Sequence, residues 1–523
     1  MKSYVNADQL ESKRAKLQTV LDSAKTQGER NFLGQFATPI SLAEDVLAHA
    51  KRLCDLRVPI KFLDPAIGTG SFYSALLKVF PEEQIHSARG FEIDPHYGFP
   101  AKDLWKDTGL DLEIGDFTYR EPRELCNLLI CNPPYVRHHH IANETKTSLS
   151  AKALRVCGVR FSGLAGLYCY FLALSHAWLE RDALAGWLIP SEFMDVNYGQ
   201  AVKRYLLKDV TLLQIHRFDP NDLQFADALV SSSVVWIRNS PPPSGHEVLF
   251  TFGGCLEKPT YSKRVPSHVL DKETKWTRFP VSEPRANTGV PILADFFRIK
   301  RGLATGDNGY FILSPDEIRA RDLPMQCFRP ILPSPRYLSN DQIEGDRDGN
   351  PLVDRKLFLL DPPFDCLEIQ TKFPTLWLYL EEGRTSGLDQ RYLCRHRNPW
   401  YAQENRPPPP LVCTYLGRGD TKSGRPFRFI LNRSKATVAN VYLAMYPMPF
   451  LTQALDADPN LIVRLWETLN DIAPRRLLSE GRVYGGGLHK LEPRELANVE
   501  IPELADLLDR KSLHQHQQLL FTK

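Results

Sequence analysis

"KFLDPAIGTGSF", Lys61 to Phe72, is the stretch from which the fold of the first half of this chain is read. The apolar run Ile60–Leu63 is a candidate buried strand, Asp64 stands at its end, and Gly68 and Gly70 open a turn into a helical pattern. Small residues in such a turn let a ligand approach the backbone, and the following helix N-terminus offers free N–H groups. Taken alone, the turn is equally compatible with a tight strand-to-helix connection that holds nothing.

Its neighbours shift the balance. "RGFEIDP" puts Glu92 near the carboxyl end of the next apolar run, where an acidic side chain can accept both hydroxyls of a ribose. "LEIGDF" then places Asp116 and Phe117 to bond and cover an adenine. Three acidic residues, each just after a strand, point to a nucleoside pocket. The turn is not G-x-G-x-x-G, so the pyrophosphate fingerprint is absent. A nucleoside without phosphate fits better, and S-adenosylmethionine is the common one, with its sulfonium and amino-acid end over the Asp64–Gly70 turn.

The rhythm of strand and helix continues to about residue 240, through candidate strands Gly90–Ile93, Asn127–Cys131, Gly186–Ile189, Leu212–His216 and Val234–Ile237 and a crossover helix at Leu167–Glu180. That alternation specifies an α/β domain with a parallel sheet. "NSPPPSGHE", Asn239 to Glu247, breaks it and is a candidate boundary. We divide the chain into an N-terminal helical segment (1–30), a catalytic domain (31–240), a linker or extension (241–290) and a mixed α/β domain (291–523). At 523 residues with 43% hydrophobic content, the chain is long enough for two or three globular domains. A net charge of +3 permits a nucleic-acid partner without demanding one, so any basic face must be local. The 10 cysteines form no C-x-x-C pair, which argues against a zinc ribbon or a disulfide framework. The N-terminus lacks the apolar core of a signal peptide, and the most apolar helix, Leu167 to Leu179, is shorter than the roughly 20 residues of a bilayer span. A soluble cytoplasmic protein with no membrane partner is expected.

"NLLICNPPYVRHHH", Asn127 to His140, ends a strand on a stiff polar corner. The Asn132 side-chain carbonyl and the Pro133 carbonyl are two acceptors, and Pro134 stiffens the corner without a competing N–H. Two acceptors match an –NH2 group. Holding both hydrogens turns the lone pair of a conjugated amine toward an electrophile and stabilises charge developing on nitrogen. Tyr135 then stacks on the flat heterocycle. A base within a duplex reaches such a corner only by rotating out, at a few kcal/mol, into an aromatic-lined pocket. Phe225, in "DLQFADALVSSSVVWI", is a candidate for the second face, with a core position the equally good alternative. Adjacent histidines in extended backbone point to opposite faces, so His138–His140 are expected in a DNA-contacting or helix-leading loop, with no metal site.

On these residues the chain resembles the gamma-class amino DNA methyltransferases, the adenine-N6 enzymes of bacterial restriction–modification systems. "GQFATPISLAEDV" (Gly34 to Val46) is similar to their N-terminal donor motif, with Phe36, Thr38 and Pro39 at matching places. "FLDPAIGTGSF" matches the glycine motif, which implies Asp64, Ala66, Gly68 and Gly70 against the donor; Ile67 stands where a small residue or cysteine is common. "FEIDP" implies Glu92 on the donor ribose and Ile93 against its adenine, "GDF" implies Asp116 on the adenine amine beside Phe117, and "NPPY" is the catalytic motif. The resemblance implies a Rossmann-like seven-stranded class I methyltransferase domain followed by a target recognition domain. It further implies a bacterial or archaeal origin, duplex DNA as substrate and a companion restriction endonuclease on a separate chain. We expect a monomer.

"FRIKRGLATGDNGYFIL" (Phe297 to Leu313) and "GRVYGGGLHKLEPRELANVEIP" (Gly481 to Pro502) resemble segments of the same enzymes' recognition domains. Arg298, Lys300 and Arg301 precede a glycine-rich turn whose amides could meet phosphate, and Tyr484, His489 and Lys490 could do the same. Arg395, Arg397 and Trp400 are candidates for base edges. Other readings of the corner are methylation of a protein glutamine or an RNA base amine, cytosine-N4 chemistry, which commonly has Ser or Asp in place of Asn, and a catalytically silent DNA-recognition subunit.

Overall fold

The protein is described from a computed structural model covering residues 6–219, 231–280, 289–418, 425–484 and 488–508. It divides into two compact units, one built on Met1–Ala286 and the other on Asn287–Val483 with the C-terminal stretch.

The first unit is organised by one nine-stranded sheet. Its strands are β1 (Ile60–Asp64), β2 (Ile85–Glu92), β3 (Leu110–Ile114), β4 (Cys126–Cys131), β5 (Leu179–Pro190), β6 (Thr211–Arg217), β7 (Ser232–Arg238), β8 (Glu247–Gly254) and β9 (Pro259–Pro266), in the spatial order β3-β2-β1-β4-β5-β7-β6-β8-β9. The first five spatial neighbours run parallel, whereas β7 is antiparallel to both β5 and β6. The six strands read from the sequence are all present, and β3 completes the seven that the resemblance implies. The sheet nevertheless extends beyond them: residues 247–266, read as linker or extension, contribute β8, parallel to β6, and β9, antiparallel to β8. The proline-rich stretch is therefore a loop within the sheet rather than its end.

Helices cover both faces: α1 (Ala7–Ser23), α2 (Gln27–Leu33), α3 (Ile40–Leu53), α4 (Ser71–Val79), α5 (Pro95–Trp105), α6 (Asn143–Cys157), α7 (Leu167–Ser175) and α8 (Gly199–Lys208). Burial on both faces explains why β4 and β7 read as unbroken apolar runs rather than alternating ones. The two sides of the sheet hold separate cores, one centred on Trp187, Phe193 and Tyr205, the other on Phe62, Trp105 and Trp236. Gly186 in β5 makes room for the Trp236 ring, since a Cβ there would lie 2.6 Å from it.

Chain order reverses between β1 and β4: β2 and β3 are laid to one side of β1 and β4 to the other. In a parallel sheet such a switch point leaves a crevice outside the strands' carboxyl ends. Register brings those ends together, with Asp64 opposite Gly90, Glu92 opposite Ile114 and Leu63 opposite Leu129. Asp64, Glu92, Asp116 and Asn132 all lie at or just past these ends.

The second unit is mixed α/β. Its main sheet has five strands in the spatial order Phe297–Arg301, Tyr442–Pro447, Leu411–Thr414, Phe429–Asn432 and Gln342–Ile343. Two smaller sheets and short helices accompany it, over a core that includes Phe297, Leu411, Phe429, Leu443 and Leu465. Among the described residues no helix is long and apolar enough to cross a membrane.

Candidate active site

The switch-point crevice opens into a cavity of about 700 Å3, within the roughly 300–1,000 Å3 usual for small-ligand sites. Of the residues expected to hold a nucleoside donor, Phe36, Thr38, Asp64, Ala66, Gly68, Glu92, Ile93, Asp116 and Phe117 line it. Pro39 and Gly70 do not line it and act behind the wall. Pro39 is the N-cap residue of α3, and Gly70, at φ +94°, precedes α4. A Cβ on Gly70 would sit 2.5 Å from Trp105 Nε1, the group that donates to the Thr69 carbonyl. Gly68, at φ +57°, has open space where a Cβ would be, which leaves its backbone open to a ligand.

The cavity is strongly acidic. Asp64 is buried at the end of β1 and accepts from the Ala66 N–H at 3.1 Å. Burial pushes its carboxyl up to about 8. Glu92 is buried as well, accepts from the Gly68 and Asp94 N–H groups at 3.0 and 2.8 Å, and is pushed up to about 7 by that burial. The hydrogen bonds only partly offset desolvation in both cases. Two buried acids of this kind suit a cationic ligand, which would favour their ionised forms. Asp116 caps a short 3-10 turn through Thr118, and Phe117 is fixed in an aromatic cluster with Phe91, Phe171 and Trp178. Ile93 is 61% exposed.

At the end of β4 the Asn132 amide is clamped. Its Nδ2 donates to the Phe36 carbonyl and to Thr38 Oγ1, both at 3.1 Å. Because those partners accept, the amide is held with its carbonyl oxygen turned away from them. That Oδ1 is buried and has no hydrogen-bond partner. An unsatisfied buried acceptor costs about 1–3 kcal/mol, so a donor arriving at this oxygen would relieve a standing penalty. Asn132 and Pro134 line the cavity.

Tyr135 differs from its expected role as an open stacking face. Its ring is 8% exposed and packs against Phe36, its N–H donates to the Gly34 carbonyl at 3.2 Å, and its hydroxyl donates to the Leu188 carbonyl at 3.0 Å. These contacts brace the corner against β5. Phe225 lies outside the described residues. His138–His140 form a 3-10 turn ahead of α6, and His140 lines the cavity and meets the Phe32 ring edge-on at 4.9 Å.

The N-terminal segment contributes residues that sequence reading missed. Arg14, buried and paired with Glu11, donates to Thr69 Oγ1 at 3.1 Å. Gln18, Asp22 and Lys25 line the cavity. Glu11, Arg14, Gln18, Asp22 and Lys25 recur at helical spacing, a polar stripe on one face. That stripe is the signal which marks α1 as part of the site.

In the second unit Arg298 and Lys300 are exposed on one strand, while Arg301 lies over the Tyr415 ring at 4.2 Å and donates to the Asn440 carbonyl. Three amides of the glycine-rich turn after them are already engaged. Gly302 and Leu303 donate to the carbonyls of Tyr442 and Val438, and Gly309 donates to Asp307 Oδ1. Arg397 is tied to the backbone, donating to the Thr305 and Ala304 carbonyls at 2.8 and 2.6 Å. Trp400 is core, packed with Tyr310 and Phe311. Lys490 pairs with Glu492 at 2.8 Å, His489 is half-buried, and the Tyr484 side chain lies outside the described set. Arg395 is exposed, and the three base-edge candidates Arg395, Arg397 and Trp400 together line a separate cavity of about 390 Å3.

Strand order, switch-point cavity and glycine turn together define a class I S-adenosylmethionine-dependent methyltransferase fold. Comparison with known proteins narrows this further. The family profile "Eco57I restriction-modification methylase" matches residues 114–224, and "Type II methyltransferase M.Eco57I, C-terminal domain" matches residues 273–523. The chain belongs with these restriction–modification methyltransferases. The Type II methyltransferase M.XamI of Xanthomonas campestris pv. amaranthicola is 27% identical over 86% of this chain and 82% of its own length. M.AccI of Acinetobacter calcoaceticus is 27% identical over 92% and 87%. Among solved structures, that of DrdV in complex with DNA aligns at a TM-score of 0.51 and 11% identity, covering 97% of this chain and 59% of DrdV, a likeness of fold.

Proposed function

We propose that the chain methylates N6 of an adenine rotated out of a specific duplex DNA site, as the modification enzyme of a restriction–modification system whose endonuclease is a separate chain. The observation that carries this reading is the Asn132 amide, clamped through its nitrogen with its oxygen buried and unpaired. S-adenosylmethionine, when bound, supplies the electrophilic methyl group. The residues present fit it: the acidic lining suits its cationic end, and the glycine turn leaves room beside Gly68.

Asn132 Oδ1 accepts one hydrogen of the exocyclic amine and the Pro133 carbonyl accepts the other. Among the described residues no N–H donates to that carbonyl, and Pro134 has none to offer. Gripping both hydrogens draws the nitrogen toward a pyramidal geometry, turns its lone pair to the methyl group, and stabilises positive charge developing on nitrogen. No strong base is needed at this corner, because the proton can leave after transfer. Asp64 and Glu92 hold the donor at its amino-acid and ribose ends. In this reading the braced Tyr135 stiffens the corner from behind.

Incubation with methyl-labelled donor and duplex DNA, followed by digestion to nucleosides, tests the proposal. Label in N6-methyl-2′-deoxyadenosine is expected. Label in N4-methylcytosine would move the assignment to the cytosine enzymes, and label confined to protein or RNA would reject it.

A further inference from the structure

We propose that Lys25 is a positioning residue that couples the donor-ribose end of the cavity to the catalytic corner by bracketing α2 against Asp94. The inference rests on the methyl-transfer reading above. Lys25 precedes α2 and Gln35 follows it, and both converge on one carboxylate: Lys25 Nζ donates to Asp94 Oδ2, and Gln35 Nε2 donates to the same oxygen at 2.8 Å. Lys25 also donates to Gln35 Oε1 at 3.3 Å, which closes a triangle across the two ends of the helix. The ammonium lies 4.9 Å above the Tyr97 ring.

Each corner of that triangle is joined to working residues by adjacent backbone. On one side the Asp94 N–H donates to Glu92 Oε1 at 2.8 Å, and Glu92 Oε2 accepts from the Gly68 N–H at 3.0 Å. On the other side, Gln35 sits between Gly34, whose carbonyl accepts from Tyr135, and Phe36, whose carbonyl accepts from Asn132. Thr38, three residues on, supplies the second acceptor for the Asn132 amide. The path from the ribose carboxylate to the amide that grips the target amine is therefore Glu92, Asp94, Lys25 with Gln35, then Gly34–Thr38.

Electrostatics make Lys25 the keystone of this path. It is the lysine or arginine among the described residues of a cavity wall that also carries Asp22, Asp64, Glu92, Asp94 and Asp116. Its side chain is only 18% exposed and that of Asp94 15%. Without the ammonium, Asp94 would face Glu92 as a partly desolvated like charge and would turn outward or take up a proton. The His96 N–H, which donates to Asp94 Oδ1 at 3.0 Å, would still hold that oxygen, but Oδ2 would keep only Gln35, and the C-terminal end of α2 would be held less firmly. The Asn132 amide would lose its orientation while every donor-contacting carboxylate stayed in place.

The test compares Lys25→Met, of similar reach without charge, and Lys25→Arg with the wild type on duplex DNA that the wild type modifies. Lys25→Met is expected to lower the single-turnover rate about 10- to 100-fold, the scale of a misplacement near 1 Å, with donor and DNA affinities little changed. Lys25→Arg is expected to restore most of the loss. A readout independent of turnover is hydrogen exchange at the Tyr135 amide, bonded to Gly34; it should speed up in Lys25→Met while β7 amides such as Val235 stay protected. An unchanged rate and unchanged Tyr135 exchange would overturn the inference. So would a loss confined to donor affinity, which would make Lys25 a donor ligand, or a loss of protection in β7 that Lys25→Arg does not repair, which would make its role general stability. A wild type that methylates no DNA would sink the underlying reading instead, and the exchange measurement would still decide whether the bracket exists.

Discussion

Replacing Gly34 by Ala should damage catalysis far more than its single methyl group suggests. Gly34 is at φ +65°, and a Cβ there would lie 2.5 Å from Tyr135 N and 2.8 Å from both Tyr135 C and Val136 N. These are backbone atoms of the catalytic corner, so no side chain can rotate away. Reaching ordinary contact near 3.5 Å requires the two segments to part by about 1 Å. The left-handed backbone costs an alanine roughly 1–2 kcal/mol, and overpacking about 1–3 more. A stability loss of about 2–5 kcal/mol would lower the melting temperature of the first unit by roughly 5–15 °C. The same displacement stretches the Tyr135-to-Gly34 bond and shifts Phe36, which holds Asn132. A 1 Å error at a reacting group costs about 100-fold in rate, and this is the expected fall in single-turnover methyl transfer, measured below the variant's melting temperature at saturating donor and DNA. A Gly34→Ala variant that transfers within about threefold of the wild-type rate, a difference under 1 kcal/mol, would refute the coupling of these two segments.

Asn132→Ala should reduce the transfer rate by about 1,000-fold, in the range for losing one preorganised polar contact, while donor and DNA binding, followed by calorimetry and fluorescence anisotropy, largely survive. Asp64 has its folded-state pKa raised by burial from 3.8 to about 8, so between these values the folded protein holds a proton that the unfolded chain has released. Donor-free stability should therefore fall as pH rises from 5 to 8, and Asp64→Asn should flatten that fall in melting experiments. Donor affinity should move the opposite way in the wild type, tightening from pH 6 to 9 as the cation favours ionised Asp64 and Glu92, and a pH-independent Kd would contradict this. Arg397→Ala should cost on the order of 2–3 kcal/mol through its lost charge-assisted bonds without changing which DNA positions are modified, as mapped by single-molecule sequencing; a relaxed target at unchanged stability would return Arg397 to base reading.

Most of the sheet was legible because strands covered on both faces, parallel or not, must be apolar along their length, so "IKFLD", "NLLIC" and "SSVVWIR" stand out between polar turns. β8 and β9 were not. They follow a proline-rich loop, and β9 lies at the sheet's edge with polar and charged residues along most of its length, a pattern shared by exposed loops. The second unit was opaque for a related reason. Its strands include Ile312–Leu313, Gln342–Ile343 and Thr437–Val438, too short to carry any periodicity. Tyr135, Trp400 and Arg397 show the limit for single side chains. An aromatic or arginine in a loop has the same letter whether it faces a ligand or pins the backbone, and only the partners distinguish the two.

The departure at Ile67 shows how such limits resolve in three dimensions. A large residue in a donor turn reads as an intrusion, yet Ile67, although part of the cavity wall, is buried, its N–H bonded to the Phe91 carbonyl at 2.9 Å. The space it takes is provided by Gly90 in β2, where a Cβ would lie 2.4 Å from Ile67 Cδ1. A bulky turn residue is thus tolerated because the neighbouring strand has given up its side chain. The catalytic corner is built by the same logic of distant supply. The Asn132 amide is oriented by acceptors 96 and 94 residues earlier in the chain, and the glycine turn is steadied by Arg14, 55 residues before Thr69. A motif therefore names the reacting groups, whereas their geometry is set by hydrogen bonds between segments that no local pattern connects.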